Sequence, residues 1–356
     1  MLGYLGVNLW DFSLPAILTI RVVASFLLAL VLAPELYRLQ ISRVALVAVC
    51  FGLIGATTSS ILLNMLFMFY FVLATRNLPF DFLVRASAYV LGFTILLSVV
   101  MVQIGALANE EDITHQAIEL GGEIRTRLNF GYKNVNSLAS LVSAFCLLLM
   151  VRGSFSWLRY GIALAITFAL YDQTDSRALI VATVFFVFYV AVLNVFSRYG
   201  ALLLSLSTIT IFIPLAVSLL PTVFISELAT LDFQLSGRLS FVSAYYDQIP
   251  AFRLLIGGMD PPTASLTIDN SFALLLGAAG LPFLVYLVIQ LFRRVQSCIR
   301  VSDHRLHAFL ITFWLYSFVE SSMVRPEAII GLIFWIVIIG RGANMDDERR
   351  VVETIR

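Results

Sequence analysis

Charged residues are the first thing this chain lacks. They make up 13% of its 356 residues, about half the roughly 25% of a soluble globular domain. That poverty excludes a secreted enzyme, a nucleic-acid-binding protein and a disordered chain, each of which needs a charged, solvated surface. Lysine occurs once, as Lys133, against 22 arginines. Cysteine occurs three times. Cys50 and Cys146 lie in apolar runs and Cys298 follows a basic stretch, a spacing that suits neither a disulfide framework nor a metal site. Histidine also occurs three times, at His115, His304 and His307. The formal net charge is +1, so no overall attraction to DNA or acidic surfaces is implied. Ahead of the first apolar run there is Asp11 but no Lys or Arg. The basic leader of a cleaved signal peptide is missing, and that run is expected to be a retained helix.

Apolar residues take the place of charge. They are 60% of the chain, with mean hydropathy +0.95. At about 20 residues per membrane-spanning helix, this suffices for roughly ten crossings. Eleven apolar runs can be traced, at about 14–34, 42–57, 60–75, 86–107, 136–151, 157–171, 177–196, 200–226, 270–292, 307–322 and 327–340. Backbone polar groups cannot face lipid unpaired, so each run is expected to be helical. The second and third, split by Thr57-Thr58-Ser59-Ser60, can also be read as one re-entrant hairpin. The fold expected is all-α: a single polytopic membrane domain over 1–356 with about 11 transmembrane helices.

Basic residues orient such a chain. With the N-terminus outside, 15 fall in inner segments and 7 in outer ones, and every short inner loop carries Arg. The tail 341–356 is then cytoplasmic. Both long loops, about 108–135 and 227–269, fall outside, and long loops in a compact protein are often functional.

The first outer loop is acidic early, with Glu110, Glu111, Asp112, Glu119 and Glu123, which read as a solvated face. It ends Arg125, Arg127, Gly131, Tyr132, Lys133, Asn134, Asn136. Arg offers a two-pronged donor for phosphate, and Tyr and Asn offer stacking and hydrogen bonds for a sugar. The same residues also suit an interfacial anchor belt. The next outer turn carries Asp172, Thr174, Asp175, Ser176 and Arg177, either a self-satisfied Asp–Arg pair or part of a site. The second long loop holds Gly237-Arg238, Tyr245-Tyr246-Asp247 and Gly257-Gly258, and closes on Asp269-Asn270. Asp269 stands where a helix begins and can serve there as an N-cap or first-turn acid.

In this order the motifs resemble the Wzy-type polysaccharide polymerases of the O-antigen polymerase and ligase superfamily. The matching residues are Arg127, Gly131, Tyr132, Asn134 and Asn136; Thr174, Ser176 and Arg177; Gly237 and Arg238; Gly257 and Gly258; Asp269 and Asn270; and Gly280. They span about residues 120–285. Val135 stands where the family often has Pro, and the second loop lacks a marked basic stripe. The resemblance implies a GT-C-like helical arrangement in a bacterial inner or plasma membrane. It implies chemistry on polyprenyl-diphosphate-linked oligosaccharides, typically undecaprenyl, at the outer leaflet. No nucleotide sugar, metal or other cofactor is expected. The partners implied are that lipid-linked substrate, the bilayer, a flippase and a chain-length regulator, with no nucleic acid. Arg127 and Arg238 are then the candidates for the diphosphate, with Arg177 a third, and Asp269 the candidate for the acceptor hydroxyl. Tyr132, Asn134, Asn136, Tyr245, Tyr246 and Asn270 are candidate substrate contacts. O-antigen ligases of the same superfamily tend to carry His in the late outer loop, and residues 227–269 contain none. A transporter or flippase would place ionisable groups at the bilayer midplane; here Arg21 lies near one end of its run and Glu320 near the outer end of another, close to Arg325. A scaffold without catalysis is the third alternative.

Overall fold

A computed structural model describes residues 60–75, 78–107, 111–113, 126–128, 135–153, 156–174, 176–219, 229–235, 237–259, 268–325 and 328–340. The runs expected at 14–34 and 42–57, and the tail, lie outside these residues, as does the choice between two spans and a re-entrant hairpin.

Twelve helices are described: α1 (Ser60–Thr75), α2 (Phe80–Gln103), α3 (Val135–Val151), α4 (Trp157–Thr174), α5 (Arg177–Val195), α6 (Gly200–Leu219), α7 (Ala229–Gln234), α8 (Arg238–Asp247), α9 (Ala251–Ile256), α10 (Ser271–Arg300), α11 (His304–Val319) and α12 (Ile329–Trp335). A 3₁₀ turn, Ser321–Met323, precedes α12, and a π turn, Ile336–Gly340, prolongs it. Over the described residues each apolar run from residue 60 onward is largely helical, as expected. The first long loop adds a small element to this all-helical fold. It contains an antiparallel ribbon, β1 (Glu111–Ile113) with β2 (Thr126–Leu128), in which Asp112 is paired with Arg127. The second loop folds into α7, α8 and α9 rather than an irregular strap. Outside a bilayer the backbone has water as a partner, so neither loop is bound to the one regime that lipid imposes.

Four of the described helices, α2, α5, α6 and α10, are long and apolar enough to cross a membrane. Their outward side chains include Phe82, Phe93, Phe188, Phe212, Val285 and Ile289, all exposed. A wall of exposed aromatic and branched residues is a liability in water and a requirement in lipid. Ser and Thr within the helices do not demand water. Thr94, Ser143, Thr183, Ser207 and Ser218 each donate to the carbonyl four residues back.

α11 is apolar around most of its circumference, and it is buried nearly throughout. It packs on α3, α5, α6 and α10. Trp314 at its centre touches Phe272 of α10, ring centroids 4.5 Å apart, and donates from its indole N–H to the Ile211 carbonyl of α6. A buried indole needs such a partner, and this bond ties three helices together.

The ends of the bundle differ. At one end α2, α4 and α11 begin and α3 finishes. There the Gly153 amide donates to Asp81 at 3.3 Å, and Arg152 donates to the Tyr89 hydroxyl at 2.9 Å. Arg85, Arg159 and Arg305 belong to this end, all counted as inner in the sequence. At the opposite end α6 and α11 finish and α10 and α12 begin, and Arg238 at the start of α8 comes near Glu320 after α11 and Asp269 ahead of α10.

A charged cluster at the opposite end of the bundle

The approach to the cluster is a turn between α7 and α8. Gly237 holds φ +76°, a left-handed conformation that a side chain would resist. The buried Asp232 carboxylate accepts from the Leu239 and Ser240 amides at 2.7 and 3.2 Å and from the Ser240 hydroxyl. Those amides belong to the first turn of α8 and have no partner within the helix. Asp232 therefore caps α8 from outside it, and so fixes Arg238 at the helix's first position.

From there Arg238 reaches two carboxylates. Its guanidinium lies 3.7 Å from Glu320 and 3.9 Å from Asp269, while Arg325 lies 3.6 Å from the other oxygen of Asp269. Glu320 follows the last residue of α11, in extended conformation. It is 7% exposed, whereas the Asp269 side chain retains 23%. Contact between charged hydrogen-bonding partners is about 2.7–2.9 Å. These pairs are about 1 Å too long for that, and among the described residues no hydrogen bond reaches any of the four charged side chains.

The backbone around the cluster is firmly held. Ser271 donates its hydroxyl to the Glu320 carbonyl at 2.7 Å and accepts from the Met323 amide at 3.3 Å. The N-cap of α10 is Asn270, not Asp269. Its Oδ1 accepts from the Phe272 and Ala273 amides, both at 3.0 Å, and its Nδ2 donates to Ser218 of α6 at 3.0 Å. Asn270 is 2% exposed. Relieved of capping, Asp269 is left to face the two arginines.

Behind α8 the glycine motifs meet. α10 breaks at Gly280 (φ +80°, ψ 170°), two residues before Pro282. Pro282 has no N–H to give the carbonyl of Ala278. The Gly258 amide supplies it instead at 2.7 Å, and the Met259 amide serves Gly277 at 3.1 Å. A Cβ on Gly257 would come within 2.6 Å of the Ala278 oxygen, and one on Gly280 within 2.6 Å of the Leu255 oxygen. Gly257, Gly258 and Gly280, far apart in the sequence, are thus the two sides of one backbone crossing. A Cβ on Gly277 would collide with the Tyr245 hydroxyl.

The sequence candidates divide accordingly. Arg238 and Asp269 are brought together. Asn270 is spent as a cap, and Tyr245 and Tyr246 of α8 are buried, Tyr245 against Gly277 of α10, so the three pack rather than present themselves to a sugar. Arg127 is on β2, whose ribbon adjoins α4; Tyr132, Asn134 and the Arg127 side chain lie outside what is described. Asn136 is in the first turn of α3, and Arg177 opens α5, exposed. Sequence reasoning missed Asp232, and it passed Glu320 and Arg325 over as site residues. An acid five residues ahead of Gly-Arg, and a Glu–Arg pair beside a proline, were the available signals. Among the described residues no three His, Cys, Asp or Glu side chains converge on one point.

Comparison of the chain with protein-family models, with curated proteins and with solved structures finds no match.

Proposed function

We propose that the chain is a membrane glycosyltransferase of the Wzy-type polymerase class, which joins polyprenyl-diphosphate-linked oligosaccharide repeats into a surface polysaccharide. The observation that carries this reading is the loose, partly buried Arg238 cluster at one end of an apolar bundle. A lipid diphosphate carries its charge at the boundary between membrane and water. A protonated guanidinium held there, with no hydrogen bond to it among the described residues, suits the charge that develops on the leaving group as the glycosidic bond breaks. The meeting of the Gly257-Gly258 and Gly280 motifs behind α8 adds to it, since residues picked for their resemblance to one family share a single structural role.

The rest of the reading follows the Arg bias and the resemblance: about eleven spans in a GT-C-like arrangement, a bacterial inner or plasma membrane, the cluster on the outer face and the C-terminal tail in the cytoplasm. A flippase would deliver the substrate and a chain-length regulator would act on the product. Arg127 would join Arg238 at the diphosphate, Arg177 would stand by as a third cation, and no cofactor is required.

Purified protein given polyprenyl-diphosphate-linked repeats should lengthen the glycan. Transfer to a different lipid acceptor would indicate the ligase, and altered accessibility without lengthening a flippase. Arg238→Lys and Arg127→Lys, at normal abundance, should each lower extension about 10²–10³-fold, the cost of one preorganised donor, because a point charge cannot replace the planar fork. Arg253→Ala serves as the control; its guanidinium lies over Phe252, 5.3 Å from the ring centroid, and it belongs to none of the matched motifs.

A further inference from the structure

Glu320 belongs to none of the motifs that suggested the function, yet it is the most deeply buried of the four charges. Its backbone is anchored through Ser271 and Met323, while no described donor satisfies its carboxylate. Asp269 is placed differently. It lies between Arg238 and Arg325, so two cations are aligned on it and its charge is used as their counter-ion.

We propose that Glu320, and not Asp269, accepts the proton of the attacking sugar hydroxyl; this rests on the polymerase reading. The acceptor oxygen bonds to the anomeric carbon of the donor. The bond from that carbon to the bridging diphosphate oxygen breaks, and its electron pair leaves with the lipid diphosphate on Arg238. The hydroxyl proton passes to the Glu320 carboxylate and from there to water. One guanidinium thus stands between the group that takes the proton and the group that takes the electron pair. Asp269 is a positioning residue, holding both arginines in register.

The surroundings tune Glu320 for this task. The groups facing it are Arg238 from α8, Asp269 ahead of α10, Arg325 ahead of α12, and Tyr316 on its own helix. Arg238 is the cation beside it at 3.7 Å, and diphosphate bound to Arg238 diverts that cation as the hydroxyl proton is handed over; a base is most effective when it titrates near the working pH.

The test uses the full chain in detergent with lipid-linked repeats extracted from cells in which the chain has been deleted. Wild-type kcat/KM should rise with pH through the neutral range. Glu320→Gln, isosteric with the protonated acid, should lose kcat about 10²–10⁴-fold with KM for the lipid-linked repeat little changed. Glu320→Asp should keep the pH dependence at reduced kcat, and Asp269→Asn should keep it while raising KM. Extension by Glu320→Gln at the wild-type rate overturns the proposal, as does a wild-type profile flat across neutrality, which needs no variant to fold. Absence of any extension by wild type removes the polymerase reading and this proposal together, so the two failures are distinct.

Discussion

Replacing Gly280 by alanine tests the crossing that seats the loop helices on the bundle. Gly280 sits at φ +80° and ψ 170°, a region open essentially to glycine alone, and an alanine held there costs about 1–3 kcal/mol. Its Cβ would stand 2.6 Å from the Leu255 oxygen and 2.8 Å from the Ile256 carbonyl carbon. Both are backbone atoms, so no side chain can swing aside. The α9 turn must lift, and the Gly258 and Met259 amides then leave the Ala278 and Gly277 carbonyls. Each buried group left unpaired costs about 1–3 kcal/mol. These terms overlap, but a loss of at least about 3 kcal/mol is expected from their lower limits. Thermal unfolding in detergent, followed by circular dichroism, should show a clear fall in Tm. Gly161→Ala, where nothing lies within 4 Å of the new Cβ, should show no loss, since alanine is the better helix former by about 1 kcal/mol. Equal Tm values for wild type and Gly280→Ala would refute the crossing.

Other consequences follow from the same geometry. Asp232→Ala should cost about 0.5–2 kcal/mol, the worth of a helix cap, and should lower glycan extension by more than Tm alone accounts for, because Arg238 loses its fixed position. For topology, Gln248→Cys should react with an impermeant thiol reagent in intact cells or spheroplasts and Ser302→Cys should not; the reverse would invert the Arg-based orientation. Chelation should leave chain extension intact, whereas abolition by chelator and restoration by a divalent ion would refute metal independence.

Helices were legible because lipid-like runs permit one backbone solution. Six of the runs coincide with helices that start within one residue of the expected positions, such as 177–196 against α5 and 200–226 against α6. The break at Gly280 was visible only as a glycine, since what makes it a break is the remote Gly257 that fills it. Arg238 and Asp269 were named, but their relation was not. Asp269 occupied the position where an acid ordinarily caps a helix, and only Asn270 taking that role reveals it as a counter-ion. Glu320 was paired by proximity with Arg325, five residues on. In the fold its closest cation among the described residues is Arg238, from a different loop, because α11 delivers it to the end of the bundle where α8 begins.

The cluster itself is poor folding chemistry. At the other end of the bundle Arg85 and Asp81 pair at 2.7 Å with about half of each side chain exposed, an arrangement that costs little and contributes little. Glu320 and Arg238 have given up water without closing to contact. Burying charge is expensive even for well-made pairs, and apolar replacements are often neutral or stabilising by about 1–4 kcal/mol. An anchor role would also be served by exposed side chains reaching the headgroups, and it gives no reason for an almost fully buried acid. Local rules of stability are broken most often where a ligand completes the arrangement. An anion entering between Arg238 and Arg325 would supply the hydrogen-bond acceptors that Asp269 and Glu320, at 3.6 to 3.9 Å, are too distant to provide.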